Sequence, residues 1–485
     1  MSLPKLAAAL AVVGLACPAS ATDNATLQRL LERMERLEAR NSQLEAEIRD
    51  LKAGQSAVDD SLSSERISAS EPELTTRLKA VEQDVVALKH PAKLAEKLDG
   101  VAVEAALTTV WQRANGLPHG VDNDDRINYR ADLAVEVPLA AVGKVEHKLF
   151  AHIRVGQGQG LNEPFGYLGH FNVPNATAFT VSGAHPDDSV ALLGEAWYQA
   201  AIPFTPKQTL ALTLGKVDIF GFFDQNEGAA DESTQFMNGV FVHNPLLDVG
   251  GEVGADANGF QPGFIASYTD KTNGSEPWRV SLGVFGAGST SSNYQDTADS
   301  PLVIAQIDKT LKLFDGRTGN YRLYAWRRRD VPRFYNETSS SHHSGVGLSV
   351  DQQIGDGVLL FGRYGQLIHG KLPFNRAFAL GAQINGTYWG RAADAVGIGA
   401  SWLKASSSYK RAGGEGYYNA ESFDANTPDF TFTPSGAERV AELYYRYQIT
   451  PQFSLTPDVQ WVRRAGANPD ADTVTVFGVR ANVAY

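Results

Sequence analysis

Cysteine is almost missing from this chain. Cys17 is the single one in 485 residues, which excludes the disulfide-stapled frameworks of small secreted domains. Methionine is also scarce, at 3 residues. An excess of positive charge is lacking too: the formal net charge is -12. Phosphate backbones call for a net basic surface, so nucleic acid is excluded as a general partner. Beyond the first residues no stretch reaches the 18 or more apolar residues that a membrane-spanning helix needs. A nucleophile motif of the G-x-S-x-G type is absent, and no catalytic constellation emerges, so the expectation is a protein that is not an enzyme. No cofactor is expected either: "GQGQG" at 156–160 lacks dinucleotide-binding spacing, and the adjacent His342 and His343 have poor spacing for a metal pair. Asp224, Asn226 and Gly228 start like a calcium loop, but Gln235 stands where its closing Glu belongs.

What is present begins with an export signal. Lys5 precedes the run "LAAALAVVGLAC", followed by Pro18 and "ASA", the pattern of a signal peptide over 1–21 with cleavage before Thr22. A period of seven follows over 22–52. Leu27, Met34, Asn41 and Ile48 share one seam position, while Leu30, Leu37, Leu44 and Leu51 fall three residues later. That stripe predicts a coiled coil, with the polar Asn41 setting register and partner number. Self-association through it predicts a homo-oligomer, a trimer in first place. Residues 53–71 read as a flexible linker, and 72–90 as a second short helix ended by His90-Pro91.

From about residue 100 to 485 the period becomes two. "ELYYRYQI" sets Leu443, Tyr445, Tyr447 and Ile449 against Glu442, Tyr444, Arg446 and Gln448. "FSLTPDVQWV", "ADLAVEV", "LFAHIRV" and "RVSLGVFG" alternate in the same way. A sandwich with its apolar face inward gives the same alternation. The export signal, Tyr and Trp near strand ends, and the long polar loops favour a transmembrane antiparallel β-barrel instead, with lipid outside and a water-filled lumen within. The chain from Val101 onward suffices for about 16 strands, with 18 the alternative count. The closing segment "VTVFGVRANVAY" would then pair with the first strand, within "AVEAALTTVW", leaving no free edge. One conflict appears in "TLALTLGKVDIF": if Leu210, Leu212 and Leu214 meet lipid, an unbroken strand carries Lys216 and Asp218 to the same side. A bulge or strand end at Gly215 is therefore expected.

Most of the chain after residue 100, above all the segment Glu195 to Asp248, resembles the bacterial carbohydrate-selective (glucose) outer-membrane porin family. The resemblance rests on "GK-D" at Lys216 and Asp218, on "FFDQNEGAADE" with the following "TQFMN", and on "LTPDVQWV" near the end. It implies a 16-stranded outer-membrane barrel that admits glucose and related sugars by diffusion, with sugars and membrane lipid as partners. Tyr485 departs from the terminal Phe more usual in such barrels.

Sugars present hydroxyls at the edge and C–H groups on the face, so their recognition calls for charged and amide groups in one plane beside an aromatic surface. Lys216, Asp218, Asp224, Asn226, Asp231, Glu232, Gln235 and Asn238 form such a set, with Trp197 as the aromatic and Arg154 projecting across from them. The same Asn, Asp and Gly letters also suit a simple solvated turn. Two other roles remain open: a general or anion-preferring porin, and an envelope tether whose coiled coil contacts the cell wall from the periplasm.

Overall fold

The structure is a computed structural model that describes residues 100–117, 125–162, 171–179, 188–248, 253, 259–287, 294, 297–329, 342–415 and 432–485. The signal peptide, coiled coil, linker and second helix expected over 1–90 lie outside the described residues.

The alternating segments form sixteen strands. The first five are β1 (Ala102–Asn115), β2 (Asp125–Val142), β3 (Val145–Gln157), β4 (Val190–Thr205) and β5 (Gln208–Asp218). Next come β6 (Phe260–Asp270), β7 (Trp278–Phe285), β8 (Leu302–Leu313), β9 (Arg317–Arg328), β10 (His343–Gly355) and β11 (Val358–His369). The last five are β12 (Phe374–Gly386), β13 (Arg391–Ala405), β14 (Ala437–Thr450), β15 (Phe453–Arg463) and β16 (Val474–Ala484). Each pairs with its sequence neighbours, and β16 returns to β1 to close the barrel. The closing ladder runs antiparallel from Ala106 opposite Ala484 to Asn115 opposite Thr475, so the terminal strand has no free edge.

Hairpin connections alternate in length. The turns after even-numbered strands are mostly tight: β10 and β11 are joined by Asp356-Gly357, with Gly357 at φ 73°, a conformation that costs glycine little. Most connections after odd-numbered strands are long. In porin-type barrels that asymmetry marks the turn side as periplasmic.

The two faces of the wall are inverted relative to a soluble protein. On β5, Thr213 is 1% exposed while its neighbour Leu214 is 62% exposed. The outward face carries Ile127, Leu282, Leu323 and Ile398, whereas the buried inward face carries Arg130, Ser281, Arg322 and Arg480. A closed sheet satisfies its own backbone, so lipid can cover the outward face without stranding an N–H or C=O group. Aromatic residues ring both ends of that face. Trp111, Phe378, Trp402 and Trp461 stand near the long connections, and Phe204, Trp278, Trp389 and Tyr447 near the tight turns. These are the interfacial belts of a membrane barrel.

The conflict at Gly215 resolves differently from the expectation. β5 neither ends nor bulges there: its pairing with β6 is unbroken from Gln208 to Asp218. Instead Gly215 takes φ 148°, open to glycine and unfavourable for other residues. The register shift lies in the β3–β4 ladder, where His152 opposes Glu195 and Ile153 opposes Leu193, skipping Gly194. Phe260 sits over the vacated Gly194 position, and the Lys216 ammonium lies 5.6 Å from that ring while donating to the Leu193 carbonyl at 2.9 Å. Asp218 is the last strand residue and caps the short 3-10 turn Ile219–Gly221.

Candidate functional site

The connection between β5 and β6 does not stay at the rim. Its residues 219–248 bond to β2, β9, β11, β14, β15 and β16, so they cross the interior of the closed wall. It meets strand side chains through both polar groups and aromatic rings. Phe236 and Phe241 pack 4.9 Å apart, with Phe361 and Tyr444 of the wall against Phe236 at 5.2 and 5.0 Å. The helix α1 (Gly239–Val242) is wholly buried there, capped by the Asn238 side chain.

Four charged wall residues are among those that hold this segment. Arg363 on β11 places Nε 3.1 Å from Asp224 Oδ2. It also donates to the carbonyls of Asp224, Ala229 and Phe241. Glu442 on β14 accepts the backbone N–H groups of Met237 at 2.6 Å and Asn238 at 3.0 Å. Arg480 on β16 donates to the carbonyls of Glu232 and Gln235, both at 2.8 Å. Arg130 on β2 binds the Glu232 carboxylate at 2.7 Å. Charge-assisted bonds of this kind are stronger than neutral ones. A neighbouring connection joins the plug: Ala176 N–H donates to the Met237 carbonyl at 2.8 Å, and Glu438 accepts the Phe171 N–H at 2.8 Å.

One side of the plug faces a charged strip on β2 to β5. Asp132 accepts from Arg130 Nε at 2.8 Å, Arg154 Nε at 2.7 Å and His152 Nε2 at 2.8 Å. Glu195 accepts from Trp197 Nε1 and from the Asp218 N–H, both at 3.1 Å. Below the strip, on the tight-turn side, Asp132 and His152 border a cavity of about 360 Å³ that also reaches Glu104 and Tyr485. Aromatic rings flank the charges. Phe150 stacks on Trp197 at 4.8 Å and 19°, Phe222 meets Trp197 edge-on at 5.9 Å, and Phe220 stacks on His243 at 3.8 Å.

Two loop groups of the strip titrate away from their ordinary values. Burial alone would push the Glu232 carboxyl up, but the Arg130 and Arg154 guanidiniums and His243 hold it below the usual carboxylate range. Burial would lower the His243 imidazole, yet its hydrogen bond to Asp248, with Asp218 and Glu232 nearby, raises it above the usual value.

The residues singled out in the sequence therefore fall into three groups. Trp197, Lys216, Asp218, Glu232 and Arg154 meet along the strip. Arg154 is on the strand next to Trp197 rather than across from it, because β3 and β4 are neighbours. Asp224, Asn226 and Asn238 are buried and serve as loop anchors: Asn226 donates to Ser349 Oγ at 3.1 Å, and Asn238 to Gln460 Oε1 at 3.0 Å. Gln235 stands at the plug's edge, accepting from the Ala230 and Asp231 N–H groups; exposed Asp231 caps that turn through the Ser233 N–H at 2.8 Å. Arg130, Asp132, His152, His243 and the anchors Arg363 and Arg480 were not singled out. For all of them but the loop residue His243 the signal was present as inward parity on polar-alternating strands, for instance Arg130 and Asp132 two residues apart.

A family model described as carbohydrate-selective porin, OprB family, matches residues 122–485. The solved structure of OprB from Pseudomonas putida superposes with a TM-score of 0.61 at 18% identity, covering 81% of this chain and 96% of that one. At that identity the likeness speaks for the fold. Porin AaxA of Chlamydia pneumoniae is 27% identical over 165 residues, 34% of this chain and 32% of AaxA. The chain thus spans about a third of the length of that relative.

Proposed function

Because the chain belongs to the OprB family of carbohydrate-selective porins, and thus to the bacterial outer membrane, we propose that it conducts neutral sugars, glucose and its relatives, by passive diffusion. The observation that carries this reading is the strip on β2 to β5. Two guanidiniums (Arg130, Arg154) stand with two imidazoles (His152, His243) against four carboxylates (Asp132, Glu195, Asp218, Glu232). With the Lys216 ammonium of the same strip counted, formal charge there runs from -1 with both imidazoles neutral to +1 with both protonated. Near-balanced opposing charges favour solutes that hydrogen-bond without carrying charge. The Phe150–Trp197–Phe222 rings beside them offer an apolar surface for a sugar's C–H face. In this reading Arg154, Trp197, Lys216, Asp218, Glu232 and Gln235 contact the passing sugar, while Asp224, Asn226 and Asn238 keep the loop in place.

The test is planar-bilayer conductance with the purified chain. Added glucose is expected to reduce the current, and Trp197→Ala to weaken that block about five-fold, from an aromatic contact of about 1 kcal/mol. A current indifferent to sugar, with a strong anion preference in the reversal potential, would leave a general or anion-preferring porin instead.

The heptads over 22–52 support a second element of the proposal: a periplasmic coiled coil that joins three chains and reaches toward the cell wall. Its mass in detergent, with and without residues 24–90, tests this; a monomer in both forms would end it. Lost envelope cohesion with unchanged permeability in the deletion would favour the tether role.

A further inference from the structure

The lipid-facing wall carries a cluster of charge of one sign. At the long-connection end of β12 to β15, Arg376, Lys404, Arg439 and Arg463 are all exposed. Each shares the outward parity of an exposed apolar residue on its own strand: Phe378, Trp402, Leu443 and Trp461. The ladder sets them side by side. Arg376 is opposite Lys404, Arg439 is opposite Trp402 on one side and opposite Arg463 on the other. Four cations thus occupy four consecutive strands, over about 15 Å at the usual interstrand spacing. Like charges directly opposite each other repel, and among the described residues no carboxylate pairs with any of the four. The chain as a whole leans the other way, at -12 with these four cations included.

We propose that these four side chains bind the phosphate groups of a lipid headgroup in the outer leaflet. The geometry supplies both halves of such a ligand. Arg376, Lys404 and Arg463 lie two residues beyond Phe378, Trp402 and Trp461, about 6–7 Å further along the strands. That step leads from the aromatic belt into the headgroup layer, whose depth outside the hydrocarbon is about 5–7 Å per leaflet. The acyl chains would rest on the Phe378–Trp402 ring pair, 5.8 Å apart. The phosphates would relieve the cross-strand repulsion, with the three guanidiniums suited to bidentate contact. A free anion gains only the second half, since the patch is an open face. This inference rests on the barrel spanning a membrane and not on what passes through it.

The full chain, purified in mild detergent and mixed with bisphosphorylated lipid A, is analysed by native mass spectrometry. Unaltered protein is expected to retain the lipid, and to retain a fully dephosphorylated lipid A at least five-fold less. The variant R376Q/K404Q/R439Q/R463Q is expected to lose retention by a similar factor with the barrel's circular dichroism intact. Equal retention of phosphorylated and dephosphorylated lipid overturns the proposal, and this comparison uses the unaltered chain, so it decides even if the variant fails to assemble. Equal retention by a folded variant overturns it too, as does displacement by millimolar inorganic phosphate, which would assign the cations to a free anion.

Discussion

Replacing Arg363 by Met removes the most connected anchor of the inward segment while keeping its length and apolar stem. Both members of the Arg363–Asp224 pair are sealed, with side chains 1% and 0% exposed. Deleting one partner of such a pair costs 3–5 kcal/mol in general, mostly because the other charge is left buried and uncompensated. Here Asp224 keeps two donors, the Tyr324 hydroxyl at 2.7 Å and the Asn244 N–H at 2.6 Å, so the lower end, about 3 kcal/mol, is the expectation. At about 1.36 kcal/mol per decade this shifts the balance between docked and released loop by about 100-fold. Glu442, Arg480 and Arg130 still hold the other side, so residues near 224–229 loosen while the barrel persists. Single-channel recording should show excess current noise and a higher mean conductance, with unchanged thermal unfolding of the wall. The double variant R363M/D224N removes the stranded charge and should recover more than half of the loss. A quiet, unaltered channel in R363M, or a double variant no better than the single one, would refute the argument.

Three further outcomes follow from other parts of the wall. Gly215→Ala should lower the yield of assembled barrel and its thermal midpoint. A side chain at φ 148° would drive a Cβ into the Ala196 carbonyl oxygen, and such strain costs about 1–3 kcal/mol; an unaffected midpoint would disprove the strain. The His243 imidazole is raised by Asp248, Asp218 and Glu232 against the opposing effect of burial. Its charge and the stability it adds are therefore fully present below the ordinary value near 6.5 and lost as pH rises through the higher folded value. Reversal potentials in a salt gradient should show growing cation preference between pH 6 and pH 9, and His243→Gln should shrink that change. Leu282→Arg places a guanidinium at an outward position that is 48% exposed, near the middle of β7. It should destabilise the folded barrel in lipid by about 2–4 kcal/mol, whereas Leu282→Phe should be tolerated; equal stability of the two would contradict a lipid-facing wall.

The wall and the site were legible to different degrees, for a physical reason. A strand's two faces are written locally: Thr213 and Leu214, or Glu442 and Leu443, reveal their sides by alternation alone. Closure follows from the same local signal, since a strand such as Val474–Ala484 with an apolar face needs a partner at its free edge. The meeting of Arg363 with Asp224 is different. The two are 139 positions apart in the chain, and they touch only because a closed sheet brings the interior faces of distant strands around one lumen. Alternation says that Arg363, Glu442 and Arg480 point inward; it says nothing of what they find there. The same limit explains Asp224 and Asn238, whose residue types suit a sugar contact and a loop anchor equally well. What separates those roles is whether a strand residue arrives from across the lumen to seal them. Long inward Arg and Glu side chains without a partner on their own hairpin are thus the sequence signal for a plug, and polar loop residues gain a pore-facing role only where that set of anchors leaves them uncovered.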